Sequence, residues 1–361
     1  MILDRYILRE IATPTVALCG GLMGIFGCYM GVRYLEDSVQ GQLPGSTVIL
    51  LILLRIAIAL EVLFPTTLYL AVMIAFGRLY RDSEMTGMFA CGISLARVLR
   101  PLFFIAITAG LIVACFSLYI RPWAWNQFFT LKARALANFD MTRMKGGNFY
   151  EIEDGKTVIF ADTVDNRTNQ AQQVFMQTNR QGKMQIIYAQ QANQVPQEAT
   201  EDPVVILHNG RMYEFSGAEK ECEILQFGTL EMPLVPKDAM PREQRVKAVS
   251  TKQLMPSADP EEIAEIQWRL TAPFSTILLA LLGVPLSRSS PRQGKYAKVP
   301  LGILVFAVYY NLSAITKKWV GQGVVGSIPG IWWIQLLLAA LLLVLLWQPP
   351  LPFRRRHRKY R

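Results

Sequence analysis

Histidine is nearly absent from this chain. Only His208 and His357 occur in 361 residues, so no zinc-ligand spacing and no histidine-based triad is available. The five cysteines form no framework. Cys19, Cys28 and Cys115 lie inside apolar runs and Cys91 lies between two of them. Cys222 alone falls in the long polar stretch, which therefore has no internal disulfide. A phosphate-binding loop is missing as well. The "DGKT" at 154–157 copies the end of one, but the pattern's first glycine falls on Tyr150, so the segment reads as a β-turn. Gly321 and Gly323 lack a strand–helix setting and read as loop. These absences turn the expectation away from an enzyme and toward transport, scaffolding or signalling.

Apolar residues are abundant, at 52% of the chain, with a mean hydropathy of +0.26. They gather in blocks near the roughly 20 residues that span a bilayer. The blocks are Ile11 to Val32, Val48 to Phe76, Leu99 to Ile120, Leu270 to Leu286, Val299 to Ile315 and Ile331 to Trp347. The expected fold is an α-helical membrane protein with six transmembrane helices and an inserted all-β, jellyroll-like domain. Trp268 and Arg269 read as an interfacial anchor at the start of the short fourth block. The first block is too long for a secretion signal's apolar core and no small-residue cleavage site closes it, so it reads as a retained helix.

The net charge of +10 is unevenly distributed. Residues 145–231 hold 7 Lys/Arg against 13 Asp/Glu, a net of −6, which leaves +16 on the rest. The basic residues gather at alternate ends of the apolar blocks: Arg5 and Arg9; Arg78, Arg81, Arg97 and Arg100; Arg288, Arg292, Lys295 and Lys298; and the tail "RRRHRKYR". The opposite short loops hold Arg33, Lys317 and Lys318. By the positive-inside rule both termini are cytoplasmic and the polar domain is outside, in the periplasm of a bacterium. Nucleic-acid binding is not needed to explain the basic tail.

The polar stretch reads as short strands at 157–162, 173–178, 184–190, 204–208, 211–215 and 223–228, punctuated by "DNRTN", "NRQGK" and "HNGR". That spacing suggests a sandwich or jelly roll, able to hold an acyl chain or to add a neighbouring strand, or serving only as a support. The expected organisation is helices 1–3 over 1–120, a connector at 121–145, the β-domain at 146–235, a proline-rich linker and helix start at 236–264, helices 4–6 over 265–348, and a basic tail at 349–361. Asp259 suits an N-cap, Pro260 the first helical position, and Glu261 and Glu262 the positive end of the helix dipole.

"GRLYRDSEMTGMFACGIS", at 77–94, lies between the second and third blocks. Asp82 or Ser83 is a candidate N-cap and Gly92 a candidate stop, giving a short helix within 82–92. Met85, Met88, Phe89 and Gly92 fall on one face, with Glu84 in the first turn. Such a stripe suits a groove on another protein. The pattern equally suits a helix lying on the bilayer or packed on its own bundle.

Ionisable residues inside apolar blocks are costly and point to function. Arg55 is near the outer end of its block; Glu61 is deeper and must be protonated, paired or wet. The two face different ways on the helix. Pro65, just below, is a candidate hinge.

"LYRDSEMTGMFACGIS", "EIQWRL" at 265–270, "VPLSRSSPRQGKYAK" at 284–298 and the opening "DRYILRE" resemble the LptF/LptG family, the permeases of the lipopolysaccharide-export ABC transporter. The resemblance covers essentially the whole chain, and "SPRQGK" with "QWR" upstream is nearer the LptF side. It implies a permease in the bacterial inner membrane that takes lipopolysaccharide from the outer leaflet and passes it to a periplasmic bridge. The implied partners are an LptG-like paralogue, an LptB-like ATPase dimer, an LptC-like single-span protein and an LptA-like bridge. ATP and magnesium are bound by the ATPase and no cofactor by this chain. In the family the loop between helices 2 and 3 is a coupling helix. Carried over, Glu84 is its ionic contact and Met85, Met88 and Phe89 its apolar ones, with Gly92 closing it.

Lipid A is an anionic amphiphile. Arg33, Lys317 and Lys318 close helices 1 and 5 on the outer side, at phosphate height, and either meet substrate or snorkel to headgroups. Arg55 and Glu61 complete the candidate cavity residues. Two other classes stay open on the residues alone: a proton-coupled secondary transporter with Glu61 as carrier, and a membrane-anchored periplasmic scaffold. The two three-helix halves show no internal repeat and no paired broken helices, which weighs against the first.

Overall fold

A computed structural model describes residues 2–39, 43, 45–137, 146–152, 157–165, 170–180, 183–195, 204–216, 222–233, 242–255, 257–288 and 298–347. The "DGKT" segment apart from Thr157, most of the 284–298 motif, the proline linker before Arg242 and the basic tail with His357 lie outside these residues.

The elements follow the apolar blocks but overrun them. Helix α1 is Ile2–Val39 and α2 is Gly45–Arg81; a short α3, Glu84–Ala90, precedes α4, Leu95–Cys115. A π-turn, Phe116–Ile120, leads on into α5, Arg121–Ala137. The connector expected from 121 is thus helical for most of its length. After the strands come α6 (Arg242–Ala248), α7 (Thr251–Leu254), α8 (Pro260–Leu286), α9 (Val299–Gly321) and α10 (Trp332–Trp347). Among the described residues five helical runs, namely α1, α2, Leu95–Lys132, α8 and α9, are long and apolar enough to cross a membrane. Helix α10 has 16 residues, or about 24 Å at the helical rise. The chain divides into two compact units: one of 1–28, 54–126 and 242–361, the other of 29–53 and 127–241.

In the first unit α8 is the central helix. Its start is capped as its sequence predicts: Asp259 Oδ1 accepts from the Glu261 N–H at 3.1 Å, with Pro260 next and two acids in the first turn. One apolar cluster joins α1, α2, α3, α4 and α8 through Ile7, Ile11, Phe76, Leu79, Met85, Leu102 and Val284. A second joins α2, α8 and α10 through Tyr69, Met73, Leu279, Leu282, Leu338 and Leu342. Polar contacts fasten α10. Gln335 Nε2 donates to Ser275 Oγ at 3.0 Å and to the Tyr309 hydroxyl at 3.1 Å, and that hydroxyl donates to Ser275. Hydrogen bonds between apolar helices are a common means of fixing their rotation.

Among the described residues the second unit holds six antiparallel strands: β1 Phe149–Ile152, β2 Thr157–Asp165, β3 Gln170–Arg180, β4 Lys183–Val195, β5 Val204–Ser216 and β6 Cys222–Pro233. They pair in sequence order in one sheet. The connectivity is therefore a meander, without the crossed Greek-key order of a strict jelly roll. Two expectations change. The "HNGR" read as a turn lies within β5, so the strands expected at 204–208 and 211–215 are one. The sixth strand is instead β1.

"HNGR" carries a crease. The ladder skips Asp162, Gln173, Gln190, Asn209 and Gly228, which face one another across the sheet. At this line the alternation slips by one. Strand β2 turns Ile159 and Ala161 inward and then Val164; β4 turns Ile187 and Ala189 inward and then Ala192. Successive side chains point to opposite faces, so the one unpaired residue in each strand is what lets both halves feed one apolar cluster. Gln173 and Asn209 take positive φ at the bend, 53° and 51°. Gly210 follows because a Cβ there would lie 2.4 Å from Phe227 Cζ and 2.5 Å from the Tyr188 carbonyl oxygen.

Candidate functional site

Helix α3 ends as its sequence predicts, and it begins after Ser83, one of the two expected N-cap residues. Gly92 takes φ of 78°, its N–H bonds the Phe89 carbonyl, and the Ile93 N–H bonds the Met88 carbonyl, both at 3.0 Å. That is a Schellman stop, and it favours glycine. Ser83 holds the N-cap place with φ of 60° and makes no side-chain cap, while Asp82 accepts from Arg81 Nε at 2.7 Å. Ser83 is thus the N-cap by position, without a side-chain bond to the helix. The apolar stripe is also divided. Met85 is fully buried in the cluster with Ile7 and Ile11, and Met88 packs partly against it. Phe89 is 42% exposed, on a face with Thr86, Gly87 and Ala90. The side chain that contributes most to the stripe's packing therefore faces this chain's own bundle, and Met85 offers no surface to a partner. Glu84 Oε2 accepts from the Tyr6 hydroxyl at 2.7 Å, and Oε1 lies 3.8 Å from Arg78 Nη2.

A cluster of five charges lies within the bundle. Glu61 of α2 accepts from Arg121 Nε at 2.8 Å with one oxygen and from Ser117 Oγ at 2.8 Å with the other. Arg121 Nη1 reaches Glu265 of α8 at 2.7 Å. Glu265 also takes Arg269 Nε at 3.0 Å and Lys317 Nζ of α9 at 2.5 Å. The π-turn supplies this geometry by bringing Ser117 and Arg121 toward α2 and α8; such turns often mark functional positions. Arg269 is wholly enclosed and donates further to Thr251 Oγ1 and to the carbonyls of Val246, Lys247 and Val249. It holds the chain between α6 and α7 against α8, and is not the interfacial anchor its place beside Trp268 suggested.

The family model described as lipopolysaccharide export system permease LptF/LptG matches residues 5–348. The chain belongs to this family. It is 27% identical over 365 residues to the lipopolysaccharide export system permease protein LptF of Escherichia coli K12, covering 98% of this chain and 97% of that protein. The same figures hold for LptF of Shigella flexneri. The five charges, α3 and the creased sheet are thus features of an LptF/LptG-family permease, and of an LptF-like one.

The remaining candidate residues of this permease separate. Lys317 is engaged with Glu265, and its ammonium lies 5.0 Å from the centre of the Trp268 ring. Arg55 is half-buried, its guanidinium carbon 4.8 Å from the centre of the Trp125 ring. Lys318 and Arg33 are exposed, Arg33 in the unit that holds the sheet. Pro65 is buried within α2 and, with Glu61, Ser275 and Tyr309, lines a small open pocket. Its missing N–H leaves the Glu61 carbonyl without a helical donor. Among the described residues no group of His, Cys, Asp and Glu is placed to hold a metal ion. The sequence does not single out Arg121 or Glu265, and it marks Arg269 only as an interfacial anchor. Glu265 and Arg269 stand one helical turn apart in "EIQWRL", which was the available signal.

Proposed function

We propose that this multi-pass inner-membrane chain is one of two permease subunits of an ABC transporter that exports lipopolysaccharide. It takes the lipid from the outer leaflet of the inner membrane and passes it to a periplasmic bridge. The second permease is LptG-like. An LptB-like ATPase dimer binds ATP and magnesium, and LptC-like and LptA-like proteins continue the route. Both termini lie in the cytoplasm and the creased sheet in the periplasm, as the alternation of basic loops favours.

The observation that carries this reading is the match over 5–348, which takes in six apolar helices, the sheet and the helix between α2 and α4. Helix α3 docks on the ATPase through Glu84, Phe89 and the small exposed residues beside it. Met85 fastens α3 to the bundle from behind, with Met88 beside it, and Gly92 closes it. Pro65 supplies the hinge in α2. The cavity residues divide by exposure. Arg33 and Lys318 meet lipid phosphate directly, each such contact contributing about 1.5–3 kcal/mol where desolvated. Arg55, Glu61 and Lys317 shape the wall. A proton-coupled transporter with Glu61 as carrier is disfavoured, since Arg121 and Ser117 engage both its oxygens.

The test is purification from bacterial membranes with reconstitution into proteoliposomes. An ATPase and a second permease should accompany the chain, and ATP should drive lipopolysaccharide onto a periplasmic acceptor. Recovery without an ATPase, or transfer that ignores ATP, would remove this reading.

A further inference from the structure

Glu84 is held from another helix. Tyr6, in the second turn of α1, donates its hydroxyl to Glu84 Oε2 at 2.7 Å and accepts from Arg78 Nη2 at 2.7 Å. Arg78 Nη1 pairs with Glu10 of α1 at 3.0 Å. On the far side of α3, Arg97 of α4 pairs with Asp4 of α1 at 3.1 Å. Beneath these polar contacts Ile7 and Ile11 share a buried cluster with Met85. Asp4, Ile7 and Ile11, with Tyr6 and Glu10 beside them, form one side of α1 at helical spacing. The end of α2, the helix α3 and the start of α4 are therefore each tied to the first three turns of α1.

We propose that Tyr6 is a positioning residue for the docking helix: it fixes the Glu84 carboxylate and carries displacement of α3 directly into α1. This rests on reading α3 as the ATPase-docking element. The hydroxyl both donates to the carboxylate and accepts from the guanidinium. A neutral donor between an acid and a base orders both, because each charge-assisted bond is directional. Without it Glu84 keeps the 3.8 Å approach of Arg78, too long for a hydrogen bond, and α1 keeps its apolar hold on Met85. Helix α3 then still docks, but its motion reaches α1 loosely. The route to α1 passes through side chains of the loop and its stems, and needs no relay along the length of α2 or α4.

Tyr6→Phe keeps the ring and removes the hydroxyl. The experiment uses the full complex with its paralogue and ATPase, reconstituted with lipopolysaccharide, and reads subunit stoichiometry, melting temperature, ATP turnover and lipid released per ATP. Spin labels at the exposed positions of Arg5 and Cys91, with the other cysteines replaced, report the α1–α3 distance in the complex and in the permease alone. The expected result is unchanged stoichiometry and melting temperature, a broadened distance distribution, and lipid per ATP lower by about three- to tenfold, the weight of one partly exposed hydrogen bond to a charge. A wild-type ratio, or an unaltered distance distribution, overturns the proposal. A variant that merely unfolds or loses the ATPase also overturns it, by giving Tyr6 a structural role only. If the unaltered chain recruits no ATPase, the docking reading fails. The label distances in the permease alone then decide whether Tyr6 fastens α3 to α1.

Discussion

Arg121 and Glu265 meet at 2.7 Å with side chains only 7% and 2% exposed, and Arg121 turns its Nε to Glu61 at 2.8 Å. One guanidinium thus closes two carboxylates from different helices. Its planar fork suits that task and a lysine's point charge does not.

Arg121→Met leaves two buried carboxylates short of a partner. Breaking a buried pair from one side costs about 3–5 kcal/mol, so the variant should melt well below the parent or fail to accumulate. Arg121→Lys should recover little. Arg121→Met with Glu61→Gln should recover more, because one orphaned charge is removed. Thermal melting in detergent followed by size-exclusion fluorescence reads all three.

Lys317 and Lys318 adjoin in sequence and should behave oppositely. Lys317→Met leaves Glu265 with Arg121 and Arg269, so stability should fall by about 1.5–3 kcal/mol, less than in Arg121→Met. Lys318→Glu should leave the melting temperature unchanged and lower lipid release, by placing a like charge before the phosphate. Equal loss of release in Lys317→Met and Lys318→Glu would count against their separation.

Met85 and Phe89 give the matching contrast in α3. Phe89→Asp sits on the exposed face; the permease should melt as the parent does and lose its ATPase on purification. Met85→Asp buries an unpaired charge, one of the few changes that costs more than about 4 kcal/mol, so loss of the permease itself should precede any loss of partner.

Gly210→Ala tests the crease. The new methyl cannot be placed without moving the Phe227 ring and the Tyr188 backbone. Overpacking of this kind costs about 1–3 kcal/mol. Faster amide exchange on β4, β5 and β6, with exchange in α8 unchanged, is the expected outcome.

Much of this was legible from sequence, and the misses share a cause. The apolar blocks gave the helices, because burial in a bilayer constrains twenty residues at once. The Gly92 stop was readable because its motif is local. Glu61 was recognised as needing a partner, but not Arg121, sixty residues away. Arg269 was misjudged because its surroundings in sequence are those of a membrane-surface arginine, while its acceptors are carbonyls at 246, 247 and 249. "HNGR" has turn composition and serves as a bend in a strand; both uses need positive φ, and composition does not separate them. The stripe of Met85, Met88 and Phe89 was seen as one surface, and only packing shows that α1 covers part of it.

The up-and-down order of the creased sheet has a consequence for biogenesis. Among the described residues each strand pairs with its immediate neighbours in sequence, so these pairings wait for no distant segment. Short-range contacts form quickly because little chain must be closed. A domain with this strand order can therefore zip up hairpin by hairpin as its chain is made. Its crease is already written into each strand, and folding need not await synthesis of α8 to α10.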